Sequence, residues 1–129
     1  MNKKRILLVE DDPDVWKAVA YCLRKHNYEV LLANDGPTAV QLAQSVPHLV
    51  ILDLQLPGLS GEEVCKTIRE DTSEEIQKIP IIMLTAKTRI SDRIVGKVIG
   101  ANLYMTKPFH MKELTEEIER LITVPKEAA

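Results

Sequence analysis

Leu49-Val-Ile-Leu-Asp53-Leu-Gln-Leu-Pro57-Gly-Leu-Ser-Gly61 is the most apolar run in the chain, and a single carboxylate interrupts it. Leu49, Val50, Ile51 and Leu52 suit a strand buried on both faces, as in a parallel sheet covered by helices. Such a strand has no room for a charge until it ends. Asp53 is therefore predicted at the strand's carboxyl end, where doubly wound sheets open into a ligand-binding crevice. Pro57, Gly58 and Gly61 then force an irregular loop before the next helix.

Around this run the chain alternates between two periods. Arg5 to Glu10 is a short aliphatic strand ending in acid, and Tyr28 to Ala33 is a second. Ile79 to Thr85 is a fourth strand and Asn102 to Thr106 a fifth. Between them, apolar residues recur at helical spacing: Val15, Val19, Cys22 and Leu23; Ala39, Val40, Leu42 and Ala43; Val64, Cys65 and Ile68; Ile90, Ile94, Val95, Val98 and Ile99; Met111, Leu114, Ile118 and Leu121. Asp12 can cap the first helix and Pro13 occupy its first turn, where a missing N–H does no harm. Asn34-Asp35-Gly36-Pro37 turns into the second helix, and the acidic stretch Asp71 to Lys78 reads as a surface connection with room for one helical turn. Five strands alternating with five helices predict an α/β three-layer sandwich with a five-stranded parallel sheet and right-handed crossovers. Residues 1–124 form one domain, and residues 125–129 read as a tail or the stub of a linker.

Bulk properties exclude several classes. With 129 residues, 45% of them hydrophobic, and a formal charge of -2, the chain can bury one core without a metal or disulfide staple. No basic excess points to nucleic acid, and Ile6 to Val9 is too short a run for a leader core or a membrane span. Cys22 and Cys65 have no metal-binding spacing and read as reduced thiols, which suits the cytoplasm. His26, His48 and His110 are scattered, so no histidine metal cluster is expected.

Polar residues at strand carboxyl ends should converge on one crevice. They are Glu10 and Asp11 after the first strand, Asp53 after the third, Thr85 after the fourth and Lys107 after the fifth. Three carboxylates together repel one another unless a cation is present, and clustered oxygens match a hard divalent ion, magnesium or in its place manganese. A carboxylate oxygen of Asp53 could attack a phosphoryl group there, with Lys107 neutralising charge and the Thr85 hydroxyl bonding the group once attached.

Val9-Glu10-Asp11-Asp12, Asp53 to Gly61, Leu84-Thr85-Ala86 and Lys107-Pro108-Phe109, in that order, resemble the receiver domain of two-component response regulators over about Lys4 to Ile122. The resemblance implies a flavodoxin-like sheet of order 2-1-3-4-5, as in chemotaxis regulators. It implies that Asp53 accepts phosphate from a histidine kinase or histidine phosphotransfer protein, becoming 4-aspartylphosphate. Asp11 would bind magnesium directly, Glu10 through water, and the Gln55 carbonyl would add a ligand. Thr85 and Lys107 would contact the phosphoryl group, the Lys107–Pro108 peptide would be cis, and Tyr104 falls at the place of a switch aromatic. Downstream, a protein target or a C-terminal output domain would read the state, the domain being a monomer or a weak dimer through the fourth long helix, fifth strand and last helix. Such a domain catalyses its own phosphorylation and dephosphorylation yet serves as a signalling protein rather than a classified enzyme.

Asn102-Leu103 departs from the family's usual acids before the switch aromatic, and Gln55 and Lys87 occupy positions that tune phosphoryl lifetime in the family. A dehalogenase-type phosphatase would need a second acid where Gln55 stands, and a flavodoxin-type cofactor binder would find its phosphate repelled by Glu10, Asp11 and Asp12. The remaining alternative is a nonphosphorylated pseudo-receiver acting as an interaction module, against which the intact acid, hydroxyl and lysine set argues. Trp16, near the rim, should report metal binding by its emission.

Overall fold

The computed structural model describes residues 3–86 and 100–123. Strands β1 (Arg5–Val9), β2 (Glu29–Ala33), β3 (Leu49–Asp53), β4 (Ile81–Ala86) and β5 (Leu103–Lys107) form one sheet in the order β2-β1-β3-β4-β5. Each neighbouring pair is parallel. All five residues of β3 are buried, as a central strand with helices on both faces requires.

Alternation along the strands divides the core in two. Leu7, Val9, Val50, Leu52 and Met83 face one layer, where α2 (Gly36–Ala43), α3 (Gly61–Arg69) and the four-residue α4 (Glu74–Gln77) pack. Ile6, Leu8, Ile51, Ile82 and Leu84 face the other, covered by α1 (Pro13–Lys25) and by α5 (Met111–Thr123). The predicted three-layer fold and its strand order are those observed. The single turn allowed within Asp71 to Lys78 is α4. The helix expected to carry Ile90 to Ile99, and the tail 125–129, lie outside the described residues.

Local chemistry sets the ends of the helices. Asp12 caps α1 by accepting from the Asp14 amide, with Pro13 in the first turn. Ser60 and Glu63 form a reciprocal capping box at the start of α3. Gly61 follows at a point where no side chain fits: a Cβ there would stand 2.2 Å from the Asp53 carbonyl oxygen. The chain can turn back beneath Asp53 only because that position is glycine.

Strand boundaries differ from expectation by a residue or two: β2 begins at Glu29 rather than Tyr28, β4 spans Ile81–Ala86 rather than Ile79–Thr85, and β5 begins at Leu103 rather than Asn102. β1 ends at Val9, so Glu10 is the first residue beyond it, and β5 runs one residue further than expected, to Lys107. The β5 ladder continues because Ala86 of β4 extends far enough to pair with Lys107. Both cysteines are thiols, Cys65 buried on α3. Among the described residues, no helix is long and apolar enough to cross a membrane.

Candidate phosphoryl and metal site

Register alone brings the reactive groups together. Val9 pairs with Leu52, so Glu10 and Asp53 are the next residues on adjacent strands. Asp53 pairs with Leu84, and Thr85 follows at the end of β4, buried with 1% exposure. Lys107 lies one strand further out, yet its four-carbon stem reaches back over the end of β4. Its Nζ donates to Glu10 Oε1 at 2.8 Å and to Asp53 Oδ2 at 3.1 Å.

The other carboxylate oxygens are held by backbone. Asp53 Oδ1 accepts from the Gln55 amide at 3.2 Å, and Glu10 Oε2 accepts from the Asp12 amide at 3.2 Å. Glu10 is fully buried and Asp53 nearly so, at 6% exposure, whereas Asp11 is exposed. Oxygens of Glu10, Asp11 and Asp53 all lie within 4.8 Å of one another. They line a cleft of about 350 Å³ together with Asp12, Leu54, Gln55 and Lys107.

Burial pushes the Glu10 carboxyl up to about 7, and its hydrogen-bonded neighbour Asp53 adds in the same direction against the pull of Lys107. Burial also works against the Lys107 ammonium, but the bond to Glu10 and the charge of Asp53 outweigh it, and its pKa is raised. Two like charges 4 Å apart repel by about 4 kcal/mol at an effective dielectric of 20. One ammonium does not balance three carboxylates. The donor set therefore fits a hard divalent cation, whose preferred ligands are carboxylate, carbonyl and water oxygens.

Of the predicted residues, Glu10, Asp11, Asp53, Gln55 and Lys107 line the cleft, whereas Thr85 is buried in β4 next to Leu84, the partner of Asp53, and is not among the lining residues. The Lys107–Pro108 peptide bond is cis. Tyr104 sits one strand away from Met83, half-buried against the core layer of α2 and α3. Lys87 lies outside the described residues. Trp16 is half-buried on α1 with Lys17 Nζ 5.7 Å from its ring centre. The histidines stand apart from the cleft: His26 at the end of α1, His48 accepting from the Arg5 amide at 2.9 Å, and His110 exposed before α5.

Sequence reading missed Asn34, whose Nδ2 donates to the Glu10 carbonyl at 3.0 Å. The signal was there in Asn34-Asp35-Gly36, but read only as turn chemistry.

A family profile described as "Response regulator receiver domain" matches residues 6–119. The chain is 38% identical over 118 residues to the sensory transduction protein RegX3 of Mycolicibacterium smegmatis, covering 91% of this chain and 50% of that one. To the alkaline phosphatase synthesis transcriptional regulatory protein PhoP of Bacillus subtilis it is 40% identical over 125 residues, covering 95% and 49%. It thus spans about half the length of the curated relatives it matches. Among solved structures, the receiver domain of the sensor histidine kinase PA1611 from Pseudomonas aeruginosa superposes with a TM-score of 0.86 at 35% identity, covering 95% of this chain and 100% of that one. That structure holds a magnesium ion in its active-site cleft.

Proposed function

This chain belongs to the response regulator receiver domain family, and on that premise we propose that it is a signalling switch thrown by phosphorylation of Asp53. The observation that carries the reading is the Asp53 carboxylate, with one oxygen 3.1 Å from the Lys107 ammonium and two further carboxylates within 4.8 Å. An Asp53 oxygen attacks phosphorus of a phosphohistidine on a sensor kinase or phosphotransfer protein. The P–N bond breaks, its electron pair stays on the imidazole nitrogen, and Asp53 becomes an acyl phosphate.

Glu10, Asp11, Asp53 and the Gln55 carbonyl would hold Mg2+, or Mn2+ in its place, which supplies charge neutralisation for phosphoryl oxygens. Lys107, already shared between Glu10 and Asp53, is in position to take a phosphoryl oxygen as a third partner. Thr85 reaches the same group by its hydroxyl, and Tyr104 moves with it. A conformer in which Thr85 reaches inward gains a bond that its alternative lacks, and only that difference shifts the population. The consequence is a changed surface for a downstream protein or for a C-terminal output domain, in a cytoplasmic pathway.

Incubation with Mg2+ and acetyl phosphate, followed by intact mass measurement, tests the reading. A hydroxylamine-labile gain of one phosphoryl group is expected, abolished in Asp53→Asn and by chelator. No gain, or a gain that survives Asp53→Asn, overturns it. On the phosphorylated sample, slowed or speeded amide exchange around both Thr85 and Tyr104 is expected, and unchanged exchange at both removes the switch.

A further inference from the structure

Two separate chain segments carry every residue assigned above to the metal, namely the turn after β1 with Glu10 and Asp11, and the end of β3 with Asp53 and Gln55. The end of β3 meets α3, whose Gly61 amide donates to the Leu54 carbonyl at 2.8 Å, and both segments are in addition tied to one further place. Beyond the last β1–β2 pair, the Glu10 amide donates to the Ala33 carbonyl at 3.0 Å, and the Glu10 carbonyl accepts from Asn34 Nδ2 at 3.0 Å. Both backbone polar groups of Glu10 are therefore held by the β2–α2 corner.

The same corner grips the loop after β3. The Gly36 amide donates to the Pro57 carbonyl at 3.2 Å. A Cβ on Gly36 would stand 2.5 Å from both Cβ and the carbonyl oxygen of Leu59, and one on Gly58, at φ +83°, would stand 2.8 Å from Pro37 Cδ. Asp35 stiffens the corner by accepting from the Thr38 amide at 2.8 Å, which caps α2. The contact is close enough that the loop cannot shift without moving α2.

We propose that the corner Asn34 to Pro37 is the positioning element of the metal site, with Asn34 as the positioning residue that sets where Glu10 and Asp11 present their oxygens. This rests on the receiver reading of the cleft. Asn34 reaches neither metal nor phosphate; it acts through the Glu10 backbone, as outer partners of ligating groups do. Its side chain is on an exposed residue at a strand end, so the bond to Glu10 is what it supplies.

The test is calorimetric titration of Mg2+ into metal-free protein, for the unaltered chain, Asn34→Ala and Gly36→Ala. Loss of an outer partner costs about 10-fold or more in metal affinity, so Asn34→Ala is expected to bind Mg2+ about 10-fold more weakly. Gly36→Ala, acting from the other loop, should weaken it too. With acetyl phosphate, Asn34→Ala should need more Mg2+ for half-maximal phosphorylation while reaching the unaltered rate at saturation. A dissociation constant for Asn34→Ala within about threefold of the unaltered chain overturns the inference, even if its melting temperature falls, because that is the pattern of a merely structural bond. An unaltered chain that takes up no Mg2+ overturns the receiver reading of the cleft and this inference with it, whereas normal uptake by all three proteins overturns this inference alone.

Discussion

Glu10 has no exposed surface, and both its oxygens are engaged, one by the Lys107 ammonium at 2.8 Å and the other by the Asp12 amide at 3.2 Å. Burial, with Asp53 alongside, lifts its pKa from 4.5 in the unfolded chain to about 7 in the fold. The folded state therefore binds this proton more tightly than the unfolded state. Its contribution to stability is fully present below pH 4.5 and is lost as pH rises through about 7. In chelator, the melting temperature measured by circular dichroism should fall between pH 5.5 and pH 8 more steeply for the unaltered chain than for Glu10→Gln. Mg2+ at pH 8 should restore much of the loss, since a ligand bound only by the folded state stabilises it. Parallel pH curves for the two proteins would show that Glu10 is not the group responsible.

At the scale of elements, the junction between α3 and the edge of the sheet is held by one side chain. Arg69 donates to the carbonyls of Gly100 at 2.9 Å and of Gln77 and Ile79 at 2.8 Å, and to Asn102 Oδ1 at 2.8 Å. Burial lowers its pKa, and none of these acceptors carries a charge. Asn102 Oδ1 also accepts from the Ile81 amide at 2.8 Å, so one amide oxygen ties α3 to the start of β4 and of β5. This is where the sequence departs from its family's usual acid, and the geometry says what the departure costs. Asn102→Asp keeps both acceptor contacts and adds a counter-charge to the half-buried guanidinium, which should stabilise the protein by about 1 kcal/mol. The melting temperature should rise by about 4 °C. An unchanged or lowered value would mean that desolvating the new carboxylate cancels its attraction to Arg69.

Across the whole molecule, what could be read in the sequence is what depends on period and order. The run Leu49 to Leu52 identified a central strand because burial on both faces leaves no polar position, and strand ends then pointed to the crevice that Glu10, Asp53 and Lys107 line, with Thr85 buried beside it in the strand paired with β3. What could not be read depends on contacts between segments distant in sequence. Asn34 on the Glu10 carbonyl, 24 residues away, and Arg69 on Asn102, 33 away, follow from close approach in space and leave no periodic trace. The same sheet that gathers the site also joins two cores, and whether they unfold as one can be measured. Leu52 faces the layer of α2 and α3, while Trp16 packs in the opposite layer with α1 and α5. Leu52→Ala should cost about 2–5 kcal/mol through lost burial and the cavity left behind. Because Leu52 sits between Val9 and Met83 in the sheet that both layers share, the loss should be felt on the far side. Trp16 emission and far-ultraviolet dichroism should then melt together, both lowered by about 10 °C. If Trp16 instead kept the transition of the unaltered chain while the dichroism shifted, the two layers would be separate cooperative units, and a change at Asp53 could alter one face of the sheet without the other.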